Sequence, residues 1–61
     1  MRIEMNIEKT ETGYSAYTVK YPVYTVGKTL EELEENILEA LNLFFAPQKK
    51  TVTEQDLKMM F

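Results

Sequence analysis

The sequence predicts a small α+β domain. Residues 2–8 alternate strictly between polar and apolar, and a capped amphipathic stretch begins at Thr29. Between them lies a run rich in tyrosine, valine and threonine, the composition of a pleated, partly buried surface. With 61 residues the chain makes a single domain spanning 1–61.

In the first strand Ile3, Met5 and Ile7 face one way, and Arg2, Glu4, Asn6 and Glu8 the other. That period of two marks a half-buried strand over about residues 2–8. The polar run Lys9-Thr10-Glu11-Thr12-Gly13 follows and ends in a residue suited to a hairpin turn. A second strand is expected over about 14–21. Tyr14 and Ala16 lie on one of its faces and Tyr17, Val19 and Tyr21 on the other, so it reads as a central strand. Pro22 cannot donate to a ladder and interrupts it. Val23-Tyr24-Thr25-Val26 is a short third strand, closed by Gly27-Lys28.

Thr29 then opens a helix over about 30–45. Thr29-Leu30-Glu31-Glu32 fits a capping box, in which the threonine oxygen accepts from the first turn and the Glu32 carboxylate reaches back to the Thr29 amide. Glu31, Glu32, Glu34 and Glu35 sit where the helix dipole favours negative charge. At 100° per residue Leu30, Leu33, Ile37, Ala40, Leu41 and Phe44 form one stripe, with Leu38 and Phe45 on its shoulder and Leu43 nearly opposite. Such a stripe packs on a sheet. Pro47 disfavours helical angles at Ala46 and ends the helix near Phe45. The tail supports two readings. Thr53-Glu54-Gln55-Asp56 can cap a short helix, or Leu57, Met59 and Phe61 can alternate as a strand.

Size and charge limit the function. A domain this short buries only ~60% of its unfolded surface. Without cysteine or histidine it has neither disulfides nor the usual zinc ligands as a staple. Self-association into a dimer or higher assembly, or docking on a partner, is therefore expected over a marginal monomer. Ten acids against seven bases give a net charge of −3, and the one basic pair is Lys49-Lys50. Direct nucleic-acid binding by this chain is not expected, since binders show a basic stripe. A basic protein partner suits the charge, although a mild acidic excess also serves solubility alone. No apolar run is long enough for a transmembrane helix. The start of the chain lacks the apolar core of a secretory signal, so a cytoplasmic location is expected.

Catalysis is not expected either. Missing histidine and cysteine exclude the common nucleophile pairs, and two glycines cannot build a phosphate loop. No catalytic, metal-ligating or cofactor-binding residue is assigned. The strongest local bias is tyrosine, with Tyr14, Tyr17, Tyr21 and Tyr24 close together. One helix cannot cover all four, and tyrosine gives large contact area at low entropic cost. If the helix covers the Tyr14 face, Tyr17, Val19, Tyr21 and Tyr24 become candidate protein-interface residues. Thr29 and Glu32 are structural cap residues.

The stretch Gly13-Tyr14-Ser15-Ala16-Tyr17-Thr18-Val19, then Gly27-Lys28-Thr29-Leu30-Glu31-Glu32-Leu33-Glu34-Glu35-Asn36-Ile37 and Glu39-Ala40, resembles the HicB-like antitoxin domain. That family shows a G-Y-x-A-x-V strand, a turn, and a helix opening G-D-T-L-E-E-A-x-x-N-x-x-E-A. The resemblance covers residues 1 to about 45, and residues 57–61 look like the family's last strand. Tyr21-Pro22-Val23-Tyr24 replaces the family's P-x-L-P-G-C turn, and Lys28 stands where an acid is common. The resemblance implies a β-β-β-α-β domain, with a three-stranded antiparallel meander, a fourth strand and one helix on one face. This is a reduced relative of the RNase H fold without its catalytic acids. It also favours the strand reading of the tail.

In function, the resemblance implies an antitoxin of a type II toxin–antitoxin system that neutralises a small, basic, RNA-cleaving HicA-like toxin by direct binding. The alternatives are an oligomerisation or regulatory domain of a longer transcriptional regulator, or a solitary HicB-like protein of unknown partner. Many members carry a carboxy-terminal DNA-binding domain, which has no counterpart in these residues.

Overall fold

The computed structural model describes residues 1–61. Its elements run β1 (Ile3–Thr10), β2 (Gly13–Thr18), β3 (Val23–Gly27), α1 (Leu30–Phe45) and β4 (Leu57–Met60), with 3-10 turns at Ala46–Gln48 and Glu54–Asp56. The strands form one sheet in the order β3-β2-β1-β4. The first three make an antiparallel meander. β4 joins β1 in parallel, with Ile3 beside Leu57 and Met5 beside Met59. The architecture is α+β with one helix on one face.

Alternation in β1 puts Ile3, Met5 and Ile7 into the core, where Ala16, Val23, Leu33, Ile37, Leu41, Phe45 and Val52 meet them. The fully buried side of the helix is the i+4 row Leu33, Ile37, Leu41 and Phe45. The stripe is thus rotated from its expected centre. Phe45 is core rather than shoulder, and Leu30 in the first turn is 41% exposed. α1 lies nearest β3. Gly27 permits that approach, because a Cβ there would lie 2.5 Å from the Leu33 amide nitrogen.

The cap forms with one change of partner. Thr29 Oγ1 accepts from the Glu32 amide at 3.1 Å, but Glu32 Oε1 accepts from the Lys28 amide at 3.3 Å rather than from Thr29. At the far end Ala46 keeps helical angles despite preceding Pro47. The chain tightens into the 3-10 turn and is stopped by Lys49, which takes left-handed angles (φ 57°) and donates its amide to the Ala46 carbonyl at 3.0 Å.

Both features of the tail are present. Thr53 and Asp56 form a reciprocal capping box around one 3-10 turn, and β4 follows at once. The second strand is shorter than expected. It ends at Thr18, and Val19 to Pro22 form the turn into β3. No helix is long and apolar enough to cross a membrane.

A candidate protein-binding face on the open side of the sheet

With a single helical layer, one side of the sheet stays uncovered. Register places one row straight across it: Met60, Asn6, Tyr17 and Tyr24, one residue from each strand. A second row runs Glu8, Ser15 and Val26, and Glu4 pairs with Lys58 beyond the first. The intervening row, Ile7, Ala16 and Thr25, points to the helix. Tyr17, Tyr24, Val26 and Met60 are all exposed, Tyr24 to 69%. Tyr17 and Tyr24 stand side by side next to Val26, with Asn6 between them and Met60, and such exposed apolar side chains grouped on one face are of the kind found at contact surfaces.

Of the four candidate interface residues, Tyr17 and Tyr24 are neighbours on this face. Val19 lies just past the end of β2 and is 88% exposed. It lines a hollow of about 550 Å³ with Arg2, Glu4, Asn6, Lys20 and Met60. Tyr21 is elsewhere. Lying in the turn, it no longer follows strand alternation and does not share a face with Tyr17. Its ring packs on Phe44 and Phe45 at centroid distances of 5.5 and 5.1 Å. Edge-on and tilted pairs of this kind are worth ~1 kcal/mol beyond burial, so Tyr21 closes the core instead of the open face.

The helical side has a different character. α1 carries Glu31, Glu32, Glu34, Glu35 and Glu39 and no basic residue. Partial loss of water pushes the Glu34 carboxyl above its usual 4.5, helped by the neighbouring carboxyls of Glu54 and Glu31. The molecule therefore shows an acidic helix on one side and a tyrosine-bearing sheet on the other.

Two residues without an expected role shape these surfaces. Asn36 donates to the Val26 carbonyl at 2.8 Å, tying the helix to β3. Met60 completes the open row, a position that follows only from the parallel pairing of β4. Asn36 was already visible in the motif, but nothing in the sequence pointed to its partner. Comparison with protein-family models, curated proteins and solved structures yields no match to this chain.

Proposed function

We propose that this chain is an antitoxin-like protein-binding domain, which captures a small basic RNA-cleaving toxin of the HicA-like kind rather than performing chemistry itself. The observation that carries the reading is the uncovered row of Tyr17, Tyr24 and Met60 across the sheet. It is a surface built of contact residues on a fold whose motifs resemble that family. The acidic helix supports it as well, since five glutamates on a helix that itself carries no basic residue attract a basic partner and speed encounter. A cytoplasmic setting and self-association belong to the same reading. A second reading, an oligomerisation domain of a longer regulator, draws on the exposed outer strand β3.

The test is to mix the protein with a small basic HicA-like toxin, and to measure both binding and RNA cleavage. A complex at micromolar concentration that silences cleavage is expected. Tyr17→Ala with Tyr24→Ala should weaken it at least tenfold, because aromatic anchors dominate such interfaces. The circular dichroism spectrum should stay unchanged. A full-strength complex with the double variant would move the site off this face, and no complex at all would defeat the antitoxin reading.

A further inference from the structure

We propose that the free edge of β3 is the seam of a two-fold dimer, in which two copies pair antiparallel through Tyr24 and join their sheets into one of twice the width. This rests on the self-association named above but not on any toxin.

The backbone of β3 sets the geometry. The Gly27 carbonyl faces β2, where a Cβ on Gly13 would strike it. The Val26 carbonyl faces away from β2 and accepts from Asn36. Strand groups alternate, so the amide and carbonyl of Tyr24 point outward like those of Val26. β2 is the sole neighbour of β3 and lies on the opposite side, so no ladder bond of the sheet takes these groups.

Outer strands are normally protected by charge, proline or a covering segment. β4 carries Lys58. β3, Val23-Tyr24-Thr25-Val26-Gly27, carries no charge at all. Leu43, 69% exposed, lines a shallow hollow along the same side with Thr25, Asn36, Glu39 and Ala40, so the nearest charge is a helix carboxylate and not a residue of the strand itself.

The hydrogen-bond inventory selects one register. Centred on Tyr24, the two copies exchange both Tyr24 N–H···O bonds. Val26 then faces Pro22 of the second copy. Proline has no N–H to give the Val26 carbonyl, and Asn36 already supplies one. Centred on Thr25, the pairing would require that carbonyl to accept from Tyr24 of the second copy, in the place Asn36 occupies.

The natural chain has no cysteine, so single-cysteine variants report the seam directly. At ~100 μM the protein should sediment as a dimer and dissociate on dilution. Tyr24→Cys should oxidise to a covalent dimer, because directly opposed residues lie ~5.5 Å apart, within disulfide reach. Tyr17→Cys, one strand inward, should not. Tyr24→Pro removes an outward N–H without touching the β2 pairing, and should raise the dissociation constant at least tenfold. Hydrogen exchange offers a reading without mutation: the Tyr24 amide should be protected in the dimer and lose that protection on dilution. A monomer at ~100 μM would overturn both the seam and self-association. A dimer that cross-links through Tyr17→Cys and not Tyr24→Cys would overturn the seam alone.

Discussion

Asn42 holds the segment after the helix in place almost by itself. Its Oδ1 accepts from the Val52 amide at 2.7 Å, and its Nδ2 donates to the carbonyls of Val52 at 3.1 Å and Leu38 at 2.9 Å. One side chain thus satisfies both backbone groups of a residue that is buried in the core. Asn42→Ala would leave them partly buried without partners, at a cost of ~2–3 kcal/mol. The expected result is a lower urea midpoint with an unchanged slope. Neither Asn42 nor Val52 stood out in the sequence. A lone asparagine on a helix and a lone valine in a polar loop have no periodicity, and their meaning lies in a contact ten residues apart. Tyr17 and Tyr24 were legible because alternation is local. Tyr21 was misplaced because alternation was carried through residues that the chain spends on reversing direction.

Single elements were the easiest part to read. The β1 alternation and the Thr29 cap follow from rules that act within a turn or two of chain. α1 ends near Phe45 for another reason than the proline rule, since Ala46 stays helical before Pro47 and Lys49 makes the stop. The inner row of α1 was read one step out of place. Helical spacing fixes which residues share a stripe, but the sheet decides which line of the stripe sinks deepest. Here Gly27 draws the first turns close and the aromatic group of Tyr21, Phe44 and Phe45 anchors the last. The cap should matter to stability. Thr29→Ala removes the acceptor for the Glu32 amide and should cost ~1 kcal/mol. Thr29→Ser should restore most of it. Thermal melts of the two variants separate loss of the hydroxyl from loss of the methyl group.

For the molecule as a whole, the uneven placement of charge predicts how stability follows pH. The folded state raises the Glu34 carboxyl above its ordinary value, so folding favours the protonated form. The benefit of that form is complete below the unfolded value and is lost as pH rises through the folded one. Above that window the ionised Glu34, close to Glu54 and Glu31, works against the fold. Glu34→Gln should therefore raise the melting temperature at pH 7 and give a smaller gain at pH 4. None of this was visible beforehand, because Glu34 and Glu54 are twenty residues apart and meet only through the fold. The parallel pairing of β4 with β1 was equally hidden, since alternation gives a strand but not its neighbour or its direction.

That pairing also sets how the molecule bears a load. β1 is entered at Ile3 and β4 is left at Met60, and the two strands run the same way side by side. Tension applied through the two chain ends therefore pulls these strands lengthwise past each other. The bonds of their ladder must give way together in shear, not one at a time as in a zipper. A domain held only by modest burial thus acquires a mechanical clamp between its first and last strands, resistant along one axis and yielding along others.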